Sequence, residues 1–440
     1  MSFPSCHLSE LLWLNPSVKY ENLSANDVIS FVPMEVVDEL NGLIAEQRTT
    51  TVSRTKGFTK FQENDLLWAK ITPCMQNGKS AIARNLVNGY GCGSTEFYVL
   101  RPKTDNVLIE YIHFLLRDKR VLESAKNSFG GSAGQQRVSS GYLKSIQIPL
   151  PPMNIQQQIV NLYNAVAGEK QAKEREAQDL LAGVDDYLLK ELGIELPENV
   201  LNERYFEVNI LDLIGGRFDT FYNNPIYSGI DEKISSGQYP FKKFKEICYA
   251  VSGVVYSSGD ESEKGKAILR GNNITLETNE INYDSIRYIS DSFIIPDNLK
   301  LQKDDILMSS ASGSKEHVGK VAFIEKDMDY YFGGFMTVLR RREKDYNQKY
   351  FFAFLQSKLF RSYLYRNLGG TNINNLNFNM LANLKIPFPP IEKQNEIAQH
   401  IQSIRTKAKQ LKAEAVNVLE KAKREIEGIV TGRPSNGVVG

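Results

Sequence analysis

The sequence predicts an α+β protein in which one mixed α/β domain occurs twice and each copy is followed by a long helix. Three observations lead to this fold: segments recur at an offset of about 240 residues, a Pro-Pro block follows each copy, and a long proline-free stretch follows each block. We expect the two helices to form an antiparallel coiled coil, with the two domains related by an approximate two-fold axis.

The internal repeat rests on segments that recur in the same order. NDLLWAKITPCMQNGKSAIA at 64–83 corresponds to DDILMSSASGSKEHVGKVAFI at 304–324. IQIPLPPMNIQQQI at 146–159 corresponds to LKIPFPPIEKQNEI at 384–397. Because this period is far longer than that of a solenoid, it indicates two copies of one domain together with its C-terminal helix.

Strand-like runs fill the globular part of each copy. Examples are EFYVL at 96–100, VSGVVY at 251–256, KVAFI at 320–324 and MTVLR at 336–340. They are rich in β-branched and aromatic residues and are bounded by Gly, Asn and Asp, which is typical of strands. Short helices between them make each domain mixed α/β, and the Pro-Pro block ends the last strand because proline cannot donate to a ladder.

A heptad seam marks the second long helix, where apolar residues recur at alternating spacings of four and three. Its positions are Ile397, Ile401, Ile404, Ala408, Leu411, Ala415, Val418 and Ala422. The first helix is less regular, with apolar positions at Ile155, Ile159, Leu162, Val166, Leu180, Val184 and Leu188. The proline-free stretches cover 154–192 and 392–430, and each helix would be about 58 Å long.

Charge distinguishes the two helical stretches. Residues 153–200 carry 4 Lys and Arg against 9 Asp and Glu, a net charge of −5, whereas residues 389–440 carry 9 against 6, a net charge of +3. Opposite net charge favours pairing of the helices with each other over self-pairing. The alternative is that each helix packs on its own domain and exposes a solvated charged face.

Together these features predict the domain organisation. The segments are a first domain over 1–152, a helix over 153–198, a second domain over 199–389, a helix over 390–430 and a flexible tail over 431–440. In an antiparallel pair the domains would lie at opposite ends of a rigid rod. Two similar but unlike modules held in this way suit a target with two dissimilar half-sites, and half-sites on B-DNA lie about 34 Å apart.

Composition excludes several protein classes. The chain has 440 residues, 42% of them hydrophobic and 24% charged, so it is neither a disordered nor a fibrous protein. Its net charge of +1 predicts that any DNA-binding surface is a local patch. The four cysteines form no CxxC pair, which argues against a zinc or disulfide scaffold and fits a reducing cytoplasm. We identify neither a signal peptide nor a membrane span.

Several motifs resemble the specificity (S) subunit of type I restriction-modification systems. They are the paired blocks PLPPMNIQQQIV (149–160) and PFPPIEKQNEIA (387–398), the glycine-rich turns GGSAGQQRVSSGYLKSI (130–146) and GGTNINNLNFNMLANLKI (369–386), and the opening GGRFDTFYNNPIY (215–227). The resemblance covers nearly the whole chain and occurs twice in order. It departs from the family pattern at the start of the first domain, where no such opening stands.

The resemblance implies two target-recognition domains joined by two spacer helices. It implies a non-catalytic subunit that reads an asymmetric, bipartite site on double-stranded DNA and assembles with two modification (M) subunits and with restriction (R) subunits, in phage defence. The chain itself would bind no cofactor, and S-adenosylmethionine would be held by the M subunits for adenine methylation. The location would be cytoplasmic.

Catalytic motifs fail when they are compared with the sequence. Asn77-Gly78-Lys79-Ser80 lacks the earlier glycine of a phosphate-binding loop, because Pro73 stands at that position. The serines at 309–314 lack a Gly-x-Ser-x-Gly frame. We therefore expect no catalytic and no metal-binding residue. The alternative functions are a protein-interaction scaffold with two binding modules on a coiled-coil spacer and, third, an uncharacterised enzyme.

DNA contacts require Lys and Arg for phosphates and Arg, Lys, Asn and Gln for base edges. In the first domain the candidates are Arg54, Lys56, Lys79, Arg84, Gln135, Gln136 and Arg137. In the second domain they are Arg270, Asn272, Asn273, Lys315, Lys320, Asn372 and Asn374. The alternative for most of them is a solvated side chain or a turn, and the paired Lys79 and Lys320 fit a structural feature of the shared fold equally well.

Overall fold

The computed structural model describes residues 3–130, 136–195, 206–213, 218–220, 222–276, 278–368, 374–376 and 378–431. The chain divides into two units. Unit 1 comprises Met1–Arg175 with Leu411–Gly440, and unit 2 comprises Glu176–Gln410. Each unit thus contains one α/β domain together with a part of each long helix.

The strands of unit 1 are short. They are β1 (Ser5–His7), β2 (Leu12–Leu14), β3 (Val28–Val32), β4 (Val37–Asp38), β5 (Leu43–Ile44), β6 (Arg48–Thr51), β7 (Thr59–Gln62), β8 (Leu66–Ala69), β9 (Ser80–Ile82), β10 (Tyr90–Gly93), β11 (Phe97–Pro102), β12 (Phe129–Gly130), β13 (Arg137–Val138) and β14 (Gln147–Pro149). The helices that begin in this unit are α1 (Leu8–Leu11), α2 (Ile109–Leu116), α3 (Lys119–Lys126), α4 (Ser140–Ser145) and α5 (Met153–Leu192).

Two four-stranded sheets form the body of unit 1. One is antiparallel with the order β2-β11-β8-β9, and the other is mixed with the order β6-β3-β10-β7, in which β3 and β10 are parallel. All four residues of β8 are buried, and Trp68 and Phe61 are among the largest enclosed side chains. Non-polar runs such as LLWA therefore become central strands, since both of their faces are covered.

Unit 2 contains the remaining strands and helices. The strands are β15 (Phe241–Lys243), β16 (Cys248–Ser252), β17 (Glu261–Ser262), β18 (Lys266–Leu269), β19 (Arg287–Ile289), β20 (Ile306–Ser309), β21 (Ala311–Ser312), β22 (Val321–Phe323), β23 (Tyr331–Phe332), β24 (Met336–Arg341), β25 (Asn374–Asn375) and β26 (Lys385–Pro387). The helices are α6 (Ile210–Leu213), α7 (Pro225–Ser235), α8 (Phe244–Ile247), α9 (Gln348–Phe354), α10 (Lys358–Leu368), α11 (Phe378–Leu381) and α12 (Ile391–Thr431), which ends in unit 1.

Unit 2 repeats the plan of unit 1. Its antiparallel sheet has the order β16-β24-β20-β22, strand for strand the order of β2-β11-β8-β9. Its mixed sheet, β17-β19-β18-β23, again contains one parallel pair, β18 with β23. Only the edge strands of the mixed sheets differ, since β7 and β17 have no counterpart. The duplicated domain that the repeat predicts is confirmed.

A glutamine near the start of each long helix explains the shared Pro-Pro-x₃-Gln pattern. The buried amide of Gln156 donates to the carbonyl of Pro151 and accepts from the amide of Leu108, at 2.9 Å in both cases. Gln394 makes the same two bonds, to Pro389 at 2.8 Å and from Asn347 at 2.9 Å. Each glutamine thus joins the Pro-Pro block to the start of a short helix, α2 in unit 1 and α9 in unit 2. Without it, these backbone groups would be buried and unpaired.

The long helices run antiparallel within each unit. In unit 2, Tyr187 stacks on His400 with ring centroids 4.2 Å apart, and Glu191 pairs with Lys393. In unit 1, Lys173 pairs with Glu414 at 2.8 Å. The predicted seam of α12 is buried or half-buried at all eight positions. In the Lys173–Glu414 pair the lysine lies on α5, the helix with the negative net charge. The apolar seam therefore explains the pairing of the helices better than their opposite net charges do.

The observed helix bounds lie close to the predicted stretches. The helix α5 covers Met153–Leu192, against a predicted segment of 153–198, and α12 covers Ile391–Thr431, against 390–430. In the opening motif before the second domain, only residues 215–217 and 221 fall outside the described residues, and α7 begins within the motif at Pro225; of the tail, residues 432–440 also fall outside. The boundaries of the globular domains stay a prediction.

Candidate nucleic-acid interface

In unit 1, three separate segments meet beside the end of β8. The amide of Lys70 donates to the carbonyl of Glu96 at 2.9 Å, and the amide of Val138 donates to the carbonyl of Lys70 at 2.9 Å. Ile71 forms an isolated bridge with Arg137. These contacts join the end of β8, the start of β11 and the strand β13, and we call this place the junction of unit 1 (Lys70, Glu96, Arg137 and Val138).

Unit 2 builds the same junction with other residues. The amide of Ser310 donates to the carbonyl of Phe335 at 2.9 Å, and the amide of Leu376 donates to the carbonyl of Ser310 at 2.7 Å. Ala311 pairs with Asn375, as Ile71 does with Arg137. The junction of unit 2 is therefore formed by Ser310, Phe335, Asn375 and Leu376. According to these backbone contacts they correspond, in that order, to Lys70, Glu96, Arg137 and Val138 of unit 1.

Three of the four side chains at the junction of unit 1 are charged, and two of them form an ion pair. The guanidinium of Arg137 donates to both carboxylate oxygens of Glu96, at 2.9 and 2.8 Å. This ion pair, helped by the nearby Lys70 ammonium, lowers the pKa of Glu96 below its usual range. The ammonium of Lys70 lies 5.4 Å from the ring centre of Tyr98. The Arg137 side chain is 41% exposed, so its planar fork is held in place and is still accessible to solvent.

A groove of about 480 Å³ lies beside this junction. Polar side chains dominate its wall, among them Asn15, Thr59, Lys60, Lys70 and Thr95. The ammonium of Lys60 lies 4.9 Å from the ring centre of Tyr20, within the range of a cation–π contact. Two lysines with hydroxyl and amide groups in one concave surface match the donors that bind phosphate and sugar oxygens.

The loop that leads into β7 adds further positive charge to this side of unit 1. Arg54, Lys56 and Lys60 are exposed within seven residues, and Phe58 is partly exposed between them. Among the described residues, no carboxylate lies within ion-pair distance of these three cations. A cluster of uncompensated cations in a chain of net charge +1 is the local patch that DNA binding would require.

The other candidates of unit 1 have structural partners. The ammonium of Lys79 donates to the carbonyl of Met34 at 3.1 Å. Arg84 is exposed but forms an ion pair with Glu110. The carbonyl of Gln136 accepts the amide of Thr72 at 3.0 Å, which places this residue at the edge of the junction. Gln135 lies outside the described residues.

Three candidates of unit 2 form one turn after β18. Asn273 is buried, and its side chain accepts from the amide of Arg270 at 2.9 Å and donates to the carbonyls of Asn282 and Asp284. Its groups are thus committed to holding the turn. Asn272 is exposed, whereas Arg270 is half-buried beside Gly333.

Of the four remaining candidates of unit 2, two lie close to its junction, one is buried and one lies outside the described residues. Lys315 is exposed in the loop after β21, and Asn374 is in β25, opposite Ser312. Lys320 is only 4% exposed, its ammonium donates to the carbonyl of Ile274 at 2.7 Å, and burial lowers its pKa. Since Lys79 makes the equivalent bond in unit 1, we leave both lysines out of the proposed interface. Asn372 lies outside the described residues.

Comparison with known proteins identifies the family. A family model described as the type I restriction modification DNA specificity domain matches residues 15–175 and 232–421, which is most of the chain. The chain belongs to this family. The two matched segments correspond to the two repeats, and most of the globular part of each unit lies in one matched segment.

Curated relatives agree with this assignment. The specificity subunit of the type I restriction enzyme EcoEI from Escherichia coli is 34% identical over 158 residues, which is 36% of this chain and 26% of that protein. The specificity subunit of MjaVIII from Methanocaldococcus jannaschii is 22% identical over 332 residues, 73% of this chain and 69% of its own length. The chain thus spans about a quarter of the EcoEI subunit and two thirds of the MjaVIII subunit.

A solved structure shares the fold of this specificity-domain protein. A chain from a type I R-M system, studied for complex assembly and conformational transition, superposes with a TM-score of 0.57. The sequences are 16% identical, and the match covers 99% of this chain and 98% of that chain. At this identity the likeness supports the fold and not the residues of a site.

Sequence analysis did not identify several residues of the candidate interface of the first specificity domain. Lys60, Lys70 and Glu96 were not among the candidates, nor was Phe335 at the junction of the second. The sequence contains an indication of Lys70, because the aligned repeats place Lys70 opposite Ser310 and thus show a side chain that differs between the two domains. A signal for Glu96 was absent, since its pairing with Arg137 joins positions 41 residues apart.

Other chemistry has little support in the described parts of the two specificity domains. Within the described ranges, no group of three His, Cys, Asp or Glu side chains could hold a metal ion. None of the described helices combines the length and the apolar character that a membrane span needs.

Proposed function

We propose that this chain is the DNA-sequence specificity subunit of a type I restriction-modification complex and reads an asymmetric, bipartite site. One observation carries the proposal: two specificity domains share the same backbone frame but present unlike side chains on it. Lys70 and Glu96 stand where the second domain has Ser310 and Phe335. Unlike surfaces on one frame fit two half-sites of different sequence.

DNA affinity would come from the cationic surface of the first unit and base discrimination from the groups beside it. Phosphate contacts supply most of the non-specific affinity, and base edges supply the sequence dependence. Arg54, Lys56 and Lys60 fit the first role because no carboxylate of the described part of the chain lies within ion-pair distance of them. In unit 2, Lys315 is exposed in the loop after β21 and would contribute a phosphate contact there.

The complex would divide its chemistry among subunits. The chain would place two M subunits and the R subunits on the site without catalysing a step itself, and its relatives are named as specificity subunits, not as methyltransferases. S-adenosylmethionine would be bound by the M subunits, which would methylate adenine. The paired helices α5 and α12 would set the distance between the two domains, and hence the gap between half-sites.

Methylome sequencing tests the proposal. The gene for this chain is expressed with its M subunits in a host that lacks other adenine methylation, and the matched control omits this chain. We expect methylation at one split, asymmetric motif only when the chain is present. Methylation that does not depend on the chain, or no methylation at a split motif with active M subunits, would contradict the proposal.

A binding assay separates the proposal from a protein-interaction scaffold. The purified complex is titrated with pooled duplexes at several salt concentrations. A specificity subunit gives sequence-dependent binding whose affinity falls steeply with salt, because counterions are released from the phosphates. A scaffold would give neither the sequence preference nor the salt dependence.

A further inference from the structure

We infer that the two junctions are the specificity-determining elements of their domains: Arg137, held by Glu96, contacts a base in the half-site of unit 1, and Phe335 contacts a base in the half-site of unit 2. This inference rests on the proposed function and deepens it. It adds which side chains discriminate bases and what kind of base edge each one prefers.

The first argument is that the fold does not need these side chains. The junction is built from backbone hydrogen bonds of 2.7 to 2.9 Å that are the same in both units. Charged residues build it in one unit and a serine and a phenylalanine build it in the other. Elsewhere the repeat keeps side chains that the fold requires, such as Gln156 and Gln394 with their identical partners. The difference at the junction therefore needs a reason other than folding.

The second argument is the exposure of the apolar side chains at the junction of unit 2. Phe335 is 75% exposed and Val255 is 84% exposed. Val255 lies against the backbone next to Phe335, because a β-carbon added at Gly334 would be 3.1 Å from a methyl group of Val255. Two strongly exposed apolar side chains on neighbouring backbone segments leave apolar surface available to a ligand beside the polar junction. On DNA, such side chains contact the methyl group of thymine or insert at a base step.

The third argument is the geometry of the ion pair in unit 1. A guanidinium fork that is held in one plane is suited to the O6 and N7 acceptors of guanine, the commonest specific contact in the major groove. Glu96 holds that plane through two bonds to Arg137. Lys70 and Lys60 line the adjoining groove and would accompany the contact on the phosphate side. Arg137 is thus assigned as the base-contacting residue and Glu96 as its positioning residue.

The test uses the assembled modification complex and its methylome. Arg137→Ala should relax one or two adjacent positions in one half-site, with a loss of about 5- to 150-fold in discrimination at those positions, and leave the other half-site unchanged. Phe335→Ala should relax positions only in the other half-site. Glu96→Gln should relax the same positions as Arg137→Ala and add nothing when the two are combined.

Matched controls lie in the same units. Arg48→Ala removes an arginine that is 38% exposed and donates to both carboxylate oxygens of Glu46, and Ile294→Ala removes an exposed apolar side chain away from the junction. Both controls should keep the wild-type motif. If Arg137→Ala does not assemble, Arg137→Lys decides the same question, because it keeps the charge and loses the planar fork.

Three results would overturn the inference. The first is that Arg137→Ala and Phe335→Ala both methylate the wild-type motif with full discrimination. The second is that Arg137→Ala weakens all sequences equally, as loss of a phosphate contact would. The third is that both variants alter the same half-site. Each of these outcomes requires a wild-type complex that methylates a split motif. Absence of that motif in the wild type would instead contradict the proposed function.

Discussion

The guanidinium of Arg101 donates two hydrogen bonds, each 2.7 Å long, to the buried carboxylate of Asp65. Arg340 and Asp305 make the corresponding pair in unit 2, at 2.9 and 3.1 Å. Asp65 also accepts the amide of Gln62, and Asp305 accepts that of Gln302. In unit 1 the turn before β8 is thus joined to β11, and in unit 2 the turn before β20 is joined to β24 in the same way.

We predict that Asp65→Leu destabilises unit 1. The variant leaves the Arg101 guanidinium without its carboxylate beside a buried strand, and removal of one partner from a buried pair costs about 3–5 kcal/mol. Thermal unfolding of the complex should show the loss. The control Arg84→Ala breaks an exposed pair and should cost about 1 kcal/mol or less. Equal effects of the two variants would show that the Asp65 pair is not important for the fold.

We predict that His113 makes unit 1 sensitive to acid. Burial, helped by the Arg117 charge, lowers the pKa of His113 to about 3, and its ring lies 3.0 Å from the hydroxyl of Ser80. The unfolded chain takes up this proton near pH 6.5, so stability is complete above that pH and falls as the pH drops toward 3.

Urea unfolding at pH 7.5 and pH 5 measures this dependence. The wild type should lose about 2 kcal/mol at pH 5 that His113→Gln, which has no titrating ring, does not lose. Carboxylates contribute equally to both proteins and cancel in the difference. An identical pH dependence in the two proteins would rule out a buried neutral histidine.

We predict that Lys60→Ala weakens binding to all duplexes about equally. Its ammonium lies at the groove of unit 1 and would contact a phosphate, so its loss should leave the sequence preference intact and reduce the salt slope by about 1. Fluorescence anisotropy over a salt series measures both quantities. Lys144→Ala, an exposed lysine on α4, is the control and should change neither.

We predict that one heptad inserted into both long helices changes the gap between half-sites and not the half-sites themselves. The insertions after Arg175 in α5 and after Gln410 in α12 keep the heptad register and lengthen each helix by about 10 Å. Methylome sequencing gives the motif directly. An insertion into α5 alone is the control and should abolish the motif, because the two seams no longer match. Altered half-site sequences would show that base contacts extend beyond the globular domains.

The helices and the duplication were determined by the sequence itself. Periodicity and the absence of proline are local signals. They predict the starts of α5 and α12 and the end of α12 to within a few residues. The order of the strands also followed from the repeat in part, because two copies of one pattern must adopt the same topology. These features depend on neighbours a few positions apart, which a sequence displays directly.

Only the tertiary structure decided which polar residues face solvent and which support the fold. Lys79 and Lys320 were candidates for DNA contact, yet both ammonium groups donate to backbone carbonyls, 45 and 46 residues away. Lys70 and Glu96 were not candidates, yet folding brings them to Arg137. Burial and pairing depend on contacts between distant segments. A sequence shows which charges a chain carries, whereas the strand ladders decide which of those charges remain available to a ligand.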